Sequence, residues 1–332
     1  MPPEGTNAVP MFDLPLAELE GYRPDRAEPA DFDQFWRDTL AEARVHDLDA
    51  RLTPDGLHLP VFDVADLTFR GFGGQPVHGW LIRPRHIDVP LPCVVQYLGY
   101  GDGRGPALDW LSLPAAGAAT IVMDTRGQGA SARRAGATGD AGGSASPYVD
   151  GFLTKGILDP ADYYYRRVFI DAVRAIEVAH TLPGIDRDRV VVRGASQGGG
   201  IALAAAALAD GVSAAVVEVP FLCHFARAVE ITDEAPYGEL VSYLGTQRDN
   251  AASALNTLRY FDGMSMAARA QVPALFSVGL MDQVCPPSTV FAAYNHYAGD
   301  KEIDVFRYNE HEGGGVHQAI RQISWLQERW GR

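Results

Sequence analysis

Apolar runs along the chain predict a sheet that begins antiparallel and then alternates with helices. The runs at 94–98 and 119–123 are continuously apolar, which is typical of strands buried on both faces of a sheet. The first two runs are joined through the glycine-rich segment 71–74, which predicts a hairpin-type connection. The predicted strands, about eight in all, lie near 61–69, 77–83, 92–98, 118–123, 190–192, 214–219, 273–279 and 303–308.

Segments with helical periodicity or helix-forming composition separate the later runs. The first of them, at 31–46, begins at Asp31, which we expect to cap the helix. Because strands and helices alternate after the first hairpin, we predict an α/β fold with one mostly parallel, doubly wound sheet flanked by helices. The other helices are expected near 160–181, 197–210, 287–297 and 316–330.

Residues 220–272 interrupt this alternation with helical segments and no clear strand. Ligands bind at the carboxyl ends of the strands in open α/β sheets, so we interpret 220–272 as a helical insertion that covers those ends. The segment 127–146, rich in glycine, alanine and serine, is typical of a surface loop. No linker or internal repeat divides the sequence, and we predict a single domain over residues 1–332.

Composition and charge limit the classes of binding partner and the cellular location that we expect for the protein. The 332 residues are 47% hydrophobic and carry a formal net charge of −14, which disfavours nucleic acid and anionic membrane surfaces as partners. No apolar run reaches transmembrane length. Segment 1–7 lacks the basic-then-apolar layout of a signal peptide, so we expect a cytoplasmic protein.

The chain has three widely spaced cysteines, Cys93, Cys223 and Cys285. Their odd number and spacing match neither a disulfide framework nor a metal cluster. We therefore expect buried free thiols, with no metal and no cofactor.

The segment 194–198, Gly-Ala-Ser-Gln-Gly, lies between a β-branched strand and an alanine-rich helix former. A serine at that position sits on a sharp strand-to-helix turn, and the small flanking residues allow the turn to close. The amino end of the following helix offers unpaired N–H groups where an oxyanion forms. This context predicts that Ser196 is a nucleophile.

A serine nucleophile needs a base to take its proton. Of nine histidines, His311 lies just after the last predicted strand, where a Ser–Asp–His sheet enzyme places its base. His317 is the nearest rival, but we expect it to start the closing helix. The remaining histidines are interpreted as surface or packing residues: His46, His58, His78, His86, His180, His224 and His296.

The acid that orients the base is expected after a strand between the serine and the histidine. Asp282 follows the apolar run 273–279 and precedes a helix that starts with proline. Glu218, at the end of the preceding strand, and Asp304, within the following one, remain alternatives. We assign the role to Asp282.

The oxyanion hole needs two backbone donors. Gln197, directly after the nucleophile, is expected to supply one N–H. The strand 94–98 leads into a glycine-rich loop, from which we choose the N–H of Tyr100. Arg126, just after the next strand, is interpreted as a structural tie between loops rather than a catalytic group.

Five motifs in this order, together spanning about 10 to 330, resemble those of the acetyl xylan esterase/cephalosporin C deacetylase family, carbohydrate esterase family seven. They are Arg126-Gly-Gln128, the segment from Gly156 through Asp159 and Asp162 to Arg167, Gly194-Ala-Ser196-Gln197-Gly198, the segment from Gly279 through Asp282 and Cys285 to Ser288, and His311-Glu312.

The resemblance implies an α/β-hydrolase fold and a serine carboxylesterase that removes acetyl groups from small substrates, such as acetylated xylo-oligosaccharides and cephalosporin C type esters. The family's nucleophile, acid and base fall on Ser196, Asp282 and His311, and its oxyanion-hole amides fall on Tyr100 and Gln197. The resemblance also implies a homohexamer whose active sites open onto an enclosed cavity. Aromatic residues near both ends could bury at subunit contacts or within one subunit: Phe32, Phe35, Trp36, Trp325 and Trp330.

One position departs from the family: Asp102 stands near a point where the family often has asparagine, which affects the pocket rim and not the triad. Other classes remain open beside the acetylesterase. A broad carboxylesterase, or a serine peptidase or acyl-aminoacyl hydrolase, can share the fold, although such peptidases usually carry a large amino-terminal propeller and only about 60 residues precede the first strand predicted here. A non-catalytic binding protein is the third class, and covalent labelling of Ser196 separates it from the enzymes.

Overall fold

The computed structural model describes residues 11–87, 89–144 and 146–331, and its centre is a nine-stranded sheet. Segment 1–7, on which the expectation of no signal peptide depends, lies outside the described residues. The strands are β1 (Arg51–Pro54), β2 (Phe62–Arg70), β3 (Pro76–Pro84), β4 (Leu91–Tyr97), β5 (Ala119–Met123), β6 (Ile185–Ala195), β7 (Val212–Glu218), β8 (Ala274–Gly279) and β9 (Lys301–Phe306).

Helices connect the strands, and most of the predicted ones begin and end within a few residues of their expected bounds. They are α1 (Leu16–Leu19), α2 (Phe32–Arg44), α3 (Ser112–Ala115), α4 (Tyr164–Thr181), α5 (Gln197–Leu208), α6 (Phe225–Ile231), α7 (Tyr237–Thr246), α8 (Ala251–Leu258), α9 (Gly263–Ala267), α10 (Pro287–His296) and α11 (Gly315–Arg329).

The strand order is β1-β2-β3-β5-β4-β6-β7-β8-β9. The pairs from β1 to β5 through β2 and β3 are antiparallel, and every pair from β5 through β4 to β9 is parallel. The crossover of β4 and β5 and the parallel run that follows are those of an α/β hydrolase, which confirms the predicted fold class. The parallel direction brings the carboxyl ends of β4, β6, β7 and β8 to one edge of the sheet.

Residues of the central strands alternate between two cores, one on each face of the sheet. Val190 and Val192 belong to the larger core, which α4, α5 and α10 cover. Val191, between them, belongs to the smaller core with Trp325 and Leu326 of α11. This alternation is why the predicted strands here are continuously apolar.

One strand escaped the sequence prediction. The four residues of β1 are all exposed, and they pair with β2 at the edge of the sheet. An exposed edge strand needs no apolar alternation, so only its pairing defines it.

The predicted cap of α2 is wrong in its chemistry. Asp31 occupies the position before the helix, but its side chain makes no capping hydrogen bond. Its carboxylate instead accepts the Tyr260 hydroxyl at 2.7 Å, a partner 229 residues away. A tertiary contact therefore replaces the local one.

The cysteines and most of the terminal aromatics are buried within the subunit. Cys93, Cys223 and Cys285 are free thiols, as expected. At least 92% of the surface of each of four of the five aromatics is hidden inside the subunit: Phe32, Trp36, Trp325 and Trp330. They already pack within one subunit, which leaves the proposed assembly without support from these residues.

Helices α6 to α9 lie between β7 and β8, in the segment interpreted as an insertion. The interpretation of residues 1–332 as one domain with this insertion stays a prediction. Among the helices that the structure describes, none is long and apolar enough to cross a membrane.

Candidate active site

Ser196 lies on the sharp turn that joins β6 to α5. Its backbone has φ 56° and ψ −121°, a conformation that residues with a Cβ rarely adopt. A Cβ on Gly194 would lie 2.1 Å from the Gly198 carbonyl oxygen, and one on Gly198 would lie 2.5 Å from the Tyr97 carbonyl oxygen. Glycine at both positions is therefore required for the turn to close.

Two hydrogen bonds connect Ser196 to a carboxylate through a histidine. The Ser196 Oγ lies 3.0 Å from His311 Nε2, and His311 Nδ1 lies 2.9 Å from Asp282 Oδ2. The carboxylate can only accept, so it selects the tautomer with the proton on Nδ1. That leaves Nε2 free to accept the Ser196 hydroxyl proton.

Asp282 is held rigidly below the histidine. Its side chain is fully buried, whereas one third of the His311 side chain is exposed. The second carboxylate oxygen accepts the backbone N–H groups of Val284 and Cys285, each at 2.9 Å. These two donors hold the carboxylate in place, so Asp282 is positioned to stabilise a cation on His311.

The first rival acid is engaged elsewhere. Glu218 accepts a hydrogen bond from the Gln322 amide at 2.9 Å, and its carboxylate lies 3.6 Å from the Arg193 guanidinium. These partners come from β6 and α11, on the side of the smaller core. Among the described residues, the Glu218 side chain thus forms no hydrogen bond with His311.

The side chains of the other rivals make no hydrogen bond with Ser196 or Asp282 among the described residues. The Asp304 carboxylate pairs with Arg321 at 3.8 Å. His317 is exposed in the first turn of α11, as expected from the sequence. The structure therefore brings together Ser196, Asp282 and His311 and excludes the alternatives from the cluster.

The backbone N–H groups close to the turn for which the described chain offers no acceptor include those of Gln197 and Tyr100. The Gln197 N–H is at the amino end of α5, where helix N–H groups have no partner within the helix. The buried Gln197 side chain donates to the carbonyl oxygens of Leu98 and Gly99, each at 3.2 Å. Since the C=O and N–H of a trans peptide point in opposite directions, this bond orients the Tyr100 N–H away from the carboxamide.

The comparisons with known proteins identify the family. The model of the acetyl xylan esterase (AXE1) family matches residues 9–329. The chain belongs to the acetyl xylan esterase family. It is a carboxylic ester hydrolase, and the resemblance drawn from the motifs is confirmed.

Three relatives illustrate the extent of the similarity. The acetyl esterase Axe7A of Xylanibacter ruminicola is 27% identical over 324 residues, which are 92% of this chain and 69% of that protein. The acetyl xylan esterase structure from Paenibacillus sp. R4 is 37% identical, with a TM-score of 0.88 over 94% of this chain and 99% of its own. Acetyl xylan esterase 1 from Thermoanaerobacterium sp. JW/SL YS485 is 34% identical, with a TM-score of 0.86 over 95% and 99% of the two chains.

A second glutamine, to which the motifs assign no role, connects the loops of the esterase. Gln128 donates to the Gln197 side-chain oxygen at 2.8 Å and to the Tyr164 hydroxyl at 3.0 Å. Its own oxygen accepts the Gly101 N–H at 2.7 Å. The signal was present in the Arg126-Gly-Gln128 motif, but its partners are 27 to 69 residues away along the chain.

Arg126 is a structural tie, as predicted. Its guanidinium forms a two-pronged contact with Asp171 on α4, with both N–O distances at 2.6 Å, and a further bond to Gln75. Burial alone would lower the pKa of Arg126, but the Asp171 carboxylate raises it above its ordinary value. The ion pair fixes the loop after β5 against α4.

Asp282, Cys285 and His311 bring three potential metal-ligating atoms within 4.8 Å of one another. Two of these residues already bond each other. Burial raises the pKa of the Cys285 thiol well above its ordinary value, so this thiol is a poor metal ligand. The expectation that no metal takes part stays a prediction.

Proposed function

We propose that this esterase removes acetyl groups from small acetylated substrates through an acetyl-Ser196 intermediate. The candidate substrates are acetylated xylo-oligosaccharides, in line with the names of the related enzymes, and cephalosporin C type esters. The observation that carries the proposal is the continuous pair of hydrogen bonds from Ser196 through His311 to Asp282, at 3.0 and 2.9 Å.

In the first half of the reaction, His311 Nε2 takes the hydroxyl proton as Ser196 Oγ attacks the acetyl carbonyl carbon. Negative charge develops on the carbonyl oxygen, which the N–H groups of Tyr100 and Gln197 stabilise. Asp282 stabilises the imidazolium that forms and keeps its orientation. His311 then protonates the leaving alcohol as the C–O bond breaks.

In the second half, water takes the place of the alcohol. His311 removes a proton from the water as its oxygen attacks the acetyl-Ser196 carbonyl. The tetrahedral intermediate collapses, Ser196 recovers its proton from His311, and acetic acid leaves and ionises to acetate in solution. Nucleophile, base and donors all come from the chain, so the proposed cycle needs no cofactor.

The test is acetate release from a panel of acetylated xylo-oligosaccharides, other acetylated sugars and esters of longer acyl chains. We expect acetyl esters to be preferred and matched amides to react poorly. An organophosphate should label the wild-type enzyme and fail to label Ser196→Ala. The control variant Ser213→Ala should be labelled like wild type, because the Ser213 hydroxyl, at the start of β7, only donates to the Val190 carbonyl oxygen. Faster amide than ester cleavage would instead assign the peptidase class.

The homohexamer and the cytoplasmic location expected from the family resemblance are part of the same proposal. If the active sites face an enclosed cavity, short acetylated oligosaccharides should react well and polymeric acetylated xylan poorly. Light scattering checks the assembly, because a particle of 35.9 kDa is a monomer and contradicts it. Equal rates per acetyl group on polymer and fragments would contradict restricted access.

A further inference from the structure

The hydroxyl of Tyr100 forms a hydrogen bond with the helical segment between β7 and β8. The hydroxyl donates to Glu239 Oε1 on α7 at 2.6 Å. It also accepts the backbone N–H groups of Phe152 and Leu153. The other carboxylate oxygen of Glu239 accepts the Leu153 N–H at 3.0 Å. Three segments of the chain therefore meet at one phenol oxygen.

The ring of Tyr100 is held as firmly as its hydroxyl. It packs edge-to-face against Phe152, at 5.5 Å between ring centroids, and against Phe221, at 6.1 Å. The N–H of Phe221 donates to the Ser196 carbonyl oxygen at 2.9 Å. The Tyr100 side chain is thus clamped between the nucleophile turn and α7.

The surroundings of Glu239 leave little room for it to move. A Cβ on Gly151, whose φ is +128°, would lie 2.1 Å from Glu239 Oε1, so the backbone passes directly against the carboxylate. Burial raises the pKa of Glu239, while the Tyr100 and Leu153 hydrogen bonds oppose that shift. Half-buried carboxylates with several well-placed donors are costly to disturb.

We propose that Glu239 is a positioning residue for the ester hydrolysis proposed above. Acting through the Tyr100 hydroxyl, it holds the Tyr100 backbone N–H at the place where the oxyanion forms. The inference rests on the proposed function, because it needs a developing oxyanion. Gln197 orients the peptide on one side of Tyr100, and Glu239 holds the side chain of the same residue, so the donor is fixed at two points.

The test compares Glu239→Met, which removes the acceptor of the Tyr100 hydroxyl, Tyr100→Phe and the double variant with wild-type enzyme. Loss of an oxyanion-hole donor costs about 10²- to 10³-fold in kcat, and a displaced donor costs part of that, so we expect kcat to fall about tenfold or more. KM should change less than about threefold, because the contact acts on the transition state. The affinity for methyl trifluoromethyl ketone, which forms a tetrahedral adduct with a serine nucleophile, should fall by the same factor as kcat/KM.

Two control variants separate positioning from general destabilisation. Tyr163→Phe removes a buried hydroxyl that donates to the Leu153 carbonyl oxygen at 2.8 Å, so it weakens the same loop without touching Tyr100. Glu234→Gln removes an exposed charge just before α7. Both should keep kcat within about threefold of wild type.

The double variant decides whether Glu239 acts through Tyr100. If it does, the double variant is as active as the less active of the two single variants, since both changes break the same hydrogen bond. Unchanged kcat, a rise in KM alone, or losses that multiply would each overturn the inference while leaving the esterase assignment intact. A wild-type enzyme that hydrolyses no acetyl ester would overturn both. Tyr100→Phe removes a single oxygen atom and keeps the test available if Glu239→Met does not fold.

Discussion

The side chain of Gln197 donates to the carbonyl oxygen of Gly99 at 3.2 Å. The residue that follows Ser196 therefore orients the peptide that carries the Tyr100 N–H. One glutamine supplies a backbone donor to the proposed oxyanion hole and aligns the second donor with its carboxamide. Gln197 thus orients both donors of the proposed oxyanion hole.

Replacing the carboxamide with an apolar side chain of similar length tests this relationship. Gln197→Met keeps the backbone N–H but releases the Gly99 carbonyl, so we expect kcat to fall about 10²-fold with KM nearly unchanged. Steady-state kinetics on an acetyl ester provide the measurement. Gln318→Met is the matched control, because Gln318 is buried and its amide has no hydrogen-bond partner among the described residues. Equal activity of the two variants would contradict the assignment.

Two substitutions of Ser196 should abolish activity alike but differ in stability, because only one of them relieves the backbone strain at this position. Both Ser196→Ala and Ser196→Gly remove the nucleophile, so acetyl-ester hydrolysis should fall by several orders of magnitude. Glycine relieves the strain of φ 56° and ψ −121°, whereas alanine does not. We expect Ser196→Gly to exceed Ser196→Ala by about 1 kcal/mol in free energy of unfolding, measured with denaturant. Activity above about a tenth of wild type in either variant would remove Ser196 from the mechanism.

The identity of the acid can be tested by ranking two isosteric changes. Asp282→Asn presents an amide N–H to His311 Nδ1 and favours the wrong tautomer, so kcat should fall by about 10⁴-fold. Glu218→Gln keeps an acceptor for Gln322 and should lower kcat by less than about tenfold. Single-turnover acylation rates give the comparison. The reverse order would transfer the role to the end of β7.

The lowered pKa of His224 predicts that the free energy of unfolding decreases in mild acid. Burial, and next the charge of Arg227, lower its pKa from 6.5 to about 4. Below pH 6.5 the unfolded chain binds a proton at His224 that the folded chain does not, so this contribution to stability is complete above pH 6.5 and is lost as pH falls to about 4. After allowance for solvent screening the effect is on the order of 1–2 kcal/mol.

The measurement is the free energy of unfolding against pH for wild type and His224→Asn. Asparagine tolerates the left-handed backbone at this position, where φ is 48°, and does not titrate. The Asp262 carboxylate accepts the backbone N–H of His224, and burial raises the pKa of Asp262 to about 6. The contribution of Asp262 to the free energy of unfolding therefore has the opposite sign and is lost as pH rises through 6. Both proteins retain Asp262, so the difference between them isolates His224. A difference independent of pH between 4 and 6.5 would contradict the shift.

Local sequence rules were enough for the framework of the fold. The apolar runs of β4 and β5 and the Gly-Ala-Ser-Gln-Gly turn depend on side chains within a few residues of one another. Strand burial and the φ of a turn are local requirements, so the pattern records them directly. The positions of Asp282 and His311 after β8 and β9 follow from the same rules, because parallel strands end at one edge of the sheet.

Tertiary packing decided what those rules cannot reach. Asp31 has the residue type of a helix cap, yet it bonds Tyr260 because that hydroxyl packs beside it in the folded chain. Glu239 meets Tyr100 across 139 residues, and no local pattern distinguishes it from a solvent-exposed helix glutamate. Edge strand β1 likewise exists only through its partner. The sequence alone therefore determined the strands, the nucleophile turn and the candidate triad, while only the tertiary structure decided which distant polar groups pair, because such pairs depend on where packing places each side chain.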